Sequence, residues 1–337
     1  MEGGLGGIDP LHPTLLRREY PDQGIAFSIA PRSGAEISSL RVLWKDQWIE
    51  TLYRADLQHE ECEGWQGRAP WLWPAVGRTF TEDLIDKARR TGDDLKEGAY
   101  VIGSKRFPMP IHGFAMSRAW DLESDDDHSI VCSSAPNEKT HQQYSFDFEL
   151  KISFRTENGS LVTDFEVHAA SQNTGSMPFT IGNHVSLDLP LGPDTDFTKC
   201  EAFSPASHEM VLTPESLLEG SSRPIDLSRG RTLDDPGLRN AVLGGFSEEE
   251  CWTAVWCPEG FGMEVRQSVA EGRSFAPGAD HWYFVLYGEP EKGFFCPEPW
   301  IGGPNALNTG KGLIQLPPGE TFTWRLSFTP TRNWPDR

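Results

Sequence analysis

The stretch Tyr144-Ser-Phe-Asp-Phe-Glu-Leu-Lys-Ile-Ser-Phe154 decides the fold class of this chain. Its aromatic and aliphatic residues stand at every second position, which is the pattern of a β-strand with one buried face. The turn Glu157-Asn158-Gly159 follows, and Asn-Gly is the strongest short-range signal for a hairpin. Alternation resumes over residues 161–167, so the sequence predicts a β-hairpin across this region.

Short strand-like runs recur along most of the chain. They lie at residues 25–29, 36–43, 252–256, 261–265, 282–287 and 321–328. Helical periodicity is confined to residues 81–96, where Gly92 limits the length. Without a linker or a break in composition, residues 19–337 are predicted to form one large antiparallel β-sandwich, with residues 1–18 as a loose arm or an added first strand.

The charge balance excludes several classes of partner. The chain has 337 residues, with 30 Lys and Arg against 50 Asp and Glu, and a net charge of -20. This excess repels phosphate backbones and anionic lipids, so we expect neither a nucleic-acid nor a membrane partner. Acidic clusters at residues 125–127 and 248–250 indicate a solvated surface, with a calcium site or a basic partner as the alternative.

Membrane spans, signal peptides and cysteine spacing indicate where a protein is located. No run of 18 apolar residues predicts a membrane span, and the N-terminus lacks the basic-then-apolar pattern of a signal peptide. No two cysteines form a C-x-x-C pair; they stand at positions 62, 132, 200, 251, 257 and 296. They predict reduced thiols in a cytoplasmic protein, although a disulfide between two of them stays open.

Two of the nine histidines stand out. His112 lies in Pro110-Ile-His-Gly-Phe-Ala115 and His184 in Ile181-Gly-Asn-His-Val185, each close to a glycine. They are interpreted either as loop histidines held by backbone hydrogen bonds or as a proton-transfer pair above a sheet. The other seven are expected to be surface or structural residues, and without an H-x-H or H-E-x-x-H pair no metal site is expected.

Two charged residues in apolar surroundings are further candidates. Glu298 lies between two prolines in Cys-Pro-Glu-Pro-Trp, where rigid flanks and apolar neighbours would fix its carboxyl group and raise its pKa. Arg78 ends the run Trp71-Leu-Trp-Pro-Ala-Val-Gly-Arg78 and could hold sugar hydroxyls or a carboxylate. The alternatives are a plain loop acid and a structural ion pair.

Four segments, in order, resemble the aldose 1-epimerase (mutarotase) family. Residues 67–78 resemble its N-P-x-L-F-P-x-x-G-R stretch, and residues 111–120 its H-G-F-A-R-x-x-x-W segment. Residues 182–187 resemble its N-H-x-x-F stretch, and residues 296–300 with Asn305 its E-P-W … N segment. The resemblance implies the galactose mutarotase-like supersandwich, a large antiparallel β-sandwich, and an isomerase that interconverts sugar anomers.

The resemblance also implies roles for individual residues. Glu298 matches the catalytic base and His184 the general acid, while His112 and Arg78 match residues that hold the sugar. Two neighbours, Asn183 and Trp300, are predicted to shape the substrate pocket. The reaction needs no cofactor and no metal, so the expected partner is a small-molecule sugar bound to a monomer or a homodimer.

The chain departs from the family at positions that bear on the substrate. Met116 replaces an arginine found in relatives that resemble hexose-6-phosphate mutarotases, with Arg118 two positions later. Residues 185–187 lack the aromatic residue that usually follows this histidine in the family. Ser247 stands near the position where the family has an aspartate that holds sugar hydroxyls. A free hexose or related aldose is therefore expected. The alternatives are a hexose-6-phosphate mutarotase, a non-catalytic sugar-binding or regulatory protein, and a hydrolase or lyase.

Overall fold

A computed structural model describes residues 5–9, 12–55, 65–193, 195–247, 249–270 and 278–332. The helices are α1 (Glu82–Thr91), α2 (Glu138–Gln143) and α3 (Ala306–Thr309), with 3-10 turns at Ala115–Ser117, Phe197–Lys199, Pro236–Leu238, Ala279–His281 and Pro290–Lys292. The strands are β1 (Leu5–Asp9), β2 (His12–Tyr20), β3 (Ile25–Ala30), β4 (Glu36–Trp44), β5 (Gln47–Glu50), β6 (Trp71–Leu72), β7 (Glu97–Ile102), β8 (Lys105–Pro110), β9 (Asp121–Asp125), β10 (Ile130–Ser134), β11 (Phe148–Glu157), β12 (Ser160–Ala169), β13 (Met177–Phe179), β14 (Ile181–Asn183), β15 (Leu187–Asp188), β16 (Glu201–Ser204), β17 (His208–Leu212), β18 (Leu218–Pro224), β19 (Leu227–Thr232), β20 (Asn240–Gly244), β21 (Trp252–Trp256), β22 (Gly262–Val269), β23 (Trp282–Glu289), β24 (Phe294–Ile301), β25 (Ile314–Leu316) and β26 (Thr321–Thr331).

Two large antiparallel sheets form the body of the molecule. One has nine strands in the order β19-β16-β21-β22-β26-β12-β11-β10-β9, and the other has eight in the order β18-β17-β20-β23-β24-β14-β6 with β15 beside β24. Strands β1 to β5 form a third sheet, and the pairs β13–β25 and β7–β8 complete the pattern. The predicted all-β fold, a large antiparallel sandwich, is confirmed.

The predicted hairpin is formed by β11 and β12. The two strands pair residue by residue up to Glu157 opposite Ser160, which leaves Asn158 and Gly159 as a two-residue turn. Both turn residues have positive φ, 50° and 80°, as a type I′ turn requires. Burial alternates along β11, so one face of the hairpin lies against the core.

The beginning of β11 differs from the expectation. The strand starts at Phe148 rather than at Tyr144, because α2 precedes it and Tyr144 caps that helix by donating its backbone N–H to Thr140 O. The phenol of Tyr144 is buried and donates to Pro178 O at 2.7 Å. The apolar residues at every second position before residue 148 therefore do not mark an extended strand. Tyr144 is buried and caps α2.

The helix expected within residues 81–96 is confirmed as α1. It ends at Gly92, whose φ of 70° is the left-handed conformation typical of a helix C-terminus, and whose N–H donates to Ala88 O. No helix in the described ranges is long and apolar enough to cross a membrane.

The main hydrophobic core lies between the two large sheets. The ring of Trp71 on β6 packs against Phe154, Phe165 and Trp324 on the facing sheet, with centroid distances of 6.1, 5.6 and 6.3 Å. Strand β2 adds to the same core and crosses the expected boundary between residues 18 and 19. The division into an arm and one domain remains a prediction.

The other face of the eight-stranded sheet has a smaller apolar cluster of its own. Its members are Leu72, Val76, Val242, Tyr283, Val285 and Trp300. Because side chains alternate across a strand, the eight-stranded sheet presents one set of residues to the core and the other set to this cluster. The candidate site lies on this second face.

Two cysteines correct an expectation. Cys200 and Cys257 form a disulfide, because the pairing of β16 with β21 brings the residues just outside both strands opposite each other. The expectation of reduced thiols is therefore wrong for this pair. Three others are buried free thiols: Cys132, Cys251 and Cys296. Cys62 lies outside the described residues, and the cytoplasmic location stays a prediction.

Gln267 on β22 connects the two sheets through a buried amide. Its Nε2 donates to Tyr283 O at 2.8 Å and to Trp300 O at 3.4 Å, and its Oε1 accepts from Trp324 Nε1 at 3.1 Å. Buried polar groups are satisfied in this way because an unpaired one is costly.

We predict that Gln267→Ala lowers the free energy of unfolding by about 2–4 kcal/mol, because it leaves the indole N–H of Trp324 without a partner in the core and removes the hydrogen bonds between the two sheets. Urea unfolding of the two proteins measures the difference. Gln315→Ala, at an exposed position of β25, serves as the control and is expected to change stability by less than about 0.5 kcal/mol. Equal losses in both variants would contradict this account of Gln267.

Candidate active site

Three neighbouring strands form the floor of a cleft. Strands β20, β23 and β24 pair antiparallel, so residues opposite one another present side chains to the same face. The floor carries Asn240, Val242, Val285, Tyr287, Glu298 and Trp300, and the walls carry Trp65, Gly77, Arg78, Ile111, His112, His184, Leu212, Ser216 and Pro304. The cavity of about 270 Å³ is near the lower end of the range for small-molecule sites, about 300–1,000 Å³.

Glu298 lies in the middle of β24, flanked by Pro297 and Pro299. Strand β23 pairs with the whole of β24 on one side, whereas β14 and β15 pair only with its two ends on the other. Proline lacks a backbone N–H and is tolerated where a strand has an open side. The carboxyl group, predicted from the sequence to be fixed by these prolines, is 2% exposed.

The carboxyl group of Glu298 forms a pair with His184. His184 Nε2 lies 3.4 Å from Glu298 Oε1, and Trp300 Nε1 donates to Glu298 Oε2 at 3.2 Å. Burial raises the pKa of Glu298 well above its usual range, and the Trp300 hydrogen bond opposes that shift. Burial, with His112 nearby, lowers the pKa of His184 well below its usual range. Burial therefore disfavours charge on both groups.

His112 is held by two hydrogen bonds to Gly77. Its backbone N–H donates to Gly77 O at 3.0 Å, and its Nδ1 accepts from Gly77 N–H at 3.1 Å. Because Nδ1 accepts, the neutral ring carries its proton on Nε2. Burial, assisted by Arg78, lowers the pKa of His112 to about 4. The ring is therefore a neutral hydrogen-bond donor near pH 7.

Arg78 stands at the rim of the cleft with an acidic neighbour. Its guanidinium pairs with Asp94, in the loop after α1, and the same carboxylate accepts from Lys96 Nζ at 2.5 Å. The alternative of a structural ion pair is thus present, and it coexists with a position on the cleft wall. An ion pair of this kind also orients the guanidinium toward one direction.

Five of the six predicted site residues line this cleft, and Asn183 does not. On β14 the side chain of Asn183 points away from the face that carries His184, because neighbouring residues alternate. Its amide is fully buried, and its Nδ2 donates to Ala69 O at 3.0 Å. Its role in shaping the pocket remains a prediction.

Close packing explains why a glycine stands at position 182, two residues before His184. A Cβ on Gly182 would lie 2.7 Å from Trp300 Cδ1 and 3.0 Å from Val76 Cγ1. The indole of Trp300 therefore lies directly against Gly182, next to Glu298. Gly182, in the Gly-Asn-His segment, thus leaves room for Trp300 of the neighbouring strand β24.

Several cleft residues were missed by the sequence analysis. Ser247 was considered as a hydroxyl-binding residue, but it is exposed and its hydroxyl accepts from Glu250 N–H at 3.1 Å. Asn240 lines the cleft instead, together with Tyr287 opposite it on β23. Trp65 was also missed. Alternation along the strands would have grouped these residues, but only once the register was known.

The two residues weighed for phosphate binding lie elsewhere. Arg118 donates to Ala135 O at 2.6 Å and its guanidinium lies over the ring of Phe114. Met116 packs against the apolar cluster that contains Trp300. Neither is among the described residues that line the cleft.

The arrangement is suited to proton transfer on a neutral, hydroxyl-bearing ligand. A carboxyl group and an imidazole lie close enough to exchange a proton, a second imidazole can donate a hydrogen bond, and indole rings supply flat apolar surfaces. A model of the family described as Aldose 1-epimerase matches residues 94–329, which is more than half of the chain. The chain therefore belongs to the aldose 1-epimerase family. The matched range includes His112, His184 and Glu298, and Arg78 lies before it.

The chain is also similar to particular proteins and solved structures. Protein LacX (plasmid) of Lactococcus lactis subsp. lactis is 26% identical over 158 residues, 47% of this chain and 46% of that protein. The chain thus spans about half the length of the curated relatives it matches. A galactose mutarotase related enzyme from Lactobacillus acidophilus has a similar structure, with a TM-score of 0.72, 21% identity, and coverage of 93% of this chain and 97% of the other. A galactose mutarotase-like protein from Lactobacillus casei ATCC 334 is also similar in structure, with a TM-score of 0.71 and 20% identity. The match covers 94% of this chain and 99% of the other. At these identities the likeness shows the fold.

We predict that Trp300→Phe raises the pKa of Glu298 further, because it removes the hydrogen bond that stabilises the carboxylate. The carbonyl stretch of the protonated carboxyl group, followed by infrared difference spectroscopy against pH, measures the change, with Glu298→Gln identifying the band. Tyr283→Phe, opposite Trp300 on β23, keeps the indole and is expected to leave the band in place. A lower pKa in Trp300→Phe would refute the assignment.

Proposed function

We propose that this chain is an aldose 1-epimerase that interconverts the α and β anomers of a free hexose or a related aldose. The observation that carries the proposal is the Glu298–His184 pair, 3.4 Å apart where the floor and the wall of a sugar-sized cleft meet. Such a pair can exchange one proton with each end of a hemiacetal. No cofactor is required for that chemistry, and the partner is the small sugar itself.

The proposed reaction starts from an uncharged pair with one titratable proton on Glu298, because burial disfavours charge on both groups. A bound sugar places its anomeric hydroxyl against Glu298 and its ring oxygen against His184 Nε2. Hydrogen bonds from the sugar stabilise the carboxylate and the imidazolium, so the proton moves to His184. Glu298 then takes the hydroxyl proton, the bond between C1 and the ring oxygen breaks, and His184 protonates the ring oxygen. Rotation about C1–C2 and the reverse steps close the other anomer.

The remaining residues of the cleft hold the sugar. The Nε2–H of His112 donates to a sugar oxygen, and the guanidinium of Arg78 binds one or two hydroxyl groups. The faces of Trp300 and Trp65 pack against the C–H surfaces of the ring. The amide of Asn240, on the floor of the same cleft, supplies a donor and an acceptor where a carboxylate was expected.

A free sugar is favoured over a sugar phosphate. Among the described residues that line the cleft, Arg78 carries the one permanent positive charge, and Asp94 already neutralises it. A phosphate needs several cationic or backbone donors. The net charge of -20 adds long-range repulsion of anions.

We predict that Glu298→Gln lowers the rate of mutarotation by about 10²–10⁴-fold, because an amide cannot accept the proton. Polarimetry on freshly dissolved α-glucose and α-galactose, each with and without a 6-phosphate, measures the rate. Glu97→Gln, at an exposed position of β7, is the matched control and is expected to keep full activity.

The outcomes of this assay separate the candidates. Acceleration of the free sugars that depends on Glu298 supports the proposal, and preference for the 6-phosphates would favour a hexose-6-phosphate mutarotase. Sugar binding by calorimetry with no acceleration would favour a non-catalytic sugar-binding protein.

We predict a pH profile whose acid limb lies below 6.5. Activity requires one proton on the pair, and it is lost when His184 takes up a second. Burial lowers the pKa of His184 from its usual 6.5, so this loss occurs only at lower pH. The plot of kcat/KM against pH measures it, and a limb at or above 6.5 is incompatible with a buried, uncharged His184.

A further inference from the structure

The hydroxyl of Ser186 is a fully buried hydrogen-bond centre close to the proton-transfer pair. It donates to His184 O at 3.1 Å and accepts from Trp65 Nε1 and from Cys296 Sγ, each at 3.3 Å. A hydroxyl group has one proton and two lone pairs, so all its capacity is used. Ser186 thereby connects Trp65 to the backbone of His184.

The indole of Trp65 lies beside the imidazole of His184. The two ring centroids are 5.2 Å apart, with an angle of 32° between the planes. Phe294 at 5.2 Å, Tyr287 at 6.1 Å and Tyr53 at 6.3 Å support the indole from other sides. Trp65 is itself partly exposed and lines the cleft, so it separates His184 from solvent.

The backbone next to Trp65 is fitted to this position. A Cβ on Gly67 would lie 2.2 Å from Tyr53 O, and the φ of Gly67 is +86°. Arg54 forms a β-bridge with Gly67, and Arg68 N–H donates to Tyr53 O at 2.7 Å. This close approach fixes the segment that presents Trp65 to the site.

We propose that Trp65 is a positioning residue of the site: anchored by the Ser186 hydroxyl, it covers the imidazole of His184 and excludes water from it. The importance of His184 rests on the proposed function, but the covering of the ring does not depend on any substrate. Trp65 precedes both the four segments that resemble the family and the residues 94–329 that the family model matches.

The titratable and charged groups around His184 come from several elements. They are Glu298 and Cys296 on β24, Tyr287 on β23, His112 before the turn at residue 115, and Arg78 beyond His112. Replacement of Trp65 removes none of these groups. A change in the titration of His184 in a Trp65 variant therefore reports entry of water and not the loss of a charge.

Two effects of the indole have opposite signs. Exclusion of water disfavours the imidazolium, whereas the face of an indole attracts a cation. Because only 6% of His184 is exposed and the indole lies 5.2 Å from its ring, we expect the exclusion of water to be the dominant effect. Removing the indole is therefore expected to raise the pKa of His184.

The test follows the ring proton resonances of His184 against pH by NMR, without substrate, with His184→Asn identifying the signals. Trp65→Ala is expected to raise the pKa of His184 by about one pH unit. Trp65→Phe and Ser186→Ala, which keep a ring but lose the anchor, are expected to give a smaller rise. Cys296→Ala removes only the thiol donor to Ser186, and no shift is expected.

The enzymatic counterpart is the acid limb of kcat/KM, which is expected to move to higher pH by the same amount in Trp65→Ala. An unchanged or lowered pKa of His184 in folded Trp65→Ala and Trp65→Phe would overturn the proposal. If the NMR shift is present but no variant or wild-type protein accelerates mutarotation, the proposed function fails and the covering role stands.

Discussion

The alternation of side chains across the eight-stranded sheet is the constraint on which the rest of the structure depends. One face must be apolar because it packs on the nine-stranded sheet, and residues such as Trp71 are held there. The opposite face is then free to carry Glu298, Trp300 and Tyr287. A shift of one residue in the pairing of β23 with β24 would exchange these two sets, so the core and the cleft are specified together.

Burial of the acid–base pair is the main energetic compromise in the fold. A carboxyl group and an imidazole in an apolar cleft lose hydration, and each avoids that cost by remaining uncharged. The surrounding structure is rigid where this matters: two prolines flank Glu298, Gly77 fixes His112 with two hydrogen bonds, and Gln267 ties the carbonyl of Trp300 to the facing sheet. The pair is thus held at short distance without an opposing charge to stabilise it.

Much of the fold and part of the site were predictable from the sequence. Alternation and the Asn-Gly turn identified the hairpin, and periodicity ending at Gly92 identified α1. Apolar surroundings and nearby glycines singled out His112, His184 and Glu298, and the resemblance to a family added their roles. The disulfide, the start of β11 and the cleft residue Asn240 were not predicted, since each depends on which strands become neighbours.

The sequence by itself determined the fold class and the candidates for acid–base chemistry, because alternation, turn residues and local apolar context are properties of neighbouring residues. Only the tertiary structure decided which side chains meet. It brought His184 within 3.4 Å of Glu298 and turned Asn183 away from the cleft. It also placed Trp65 against the imidazole of His184, although the two residues are 119 positions apart in the sequence (184 − 65). The physical reason is that strand register and sheet order set these contacts, and they arise from the packing of the whole core rather than from any local pattern.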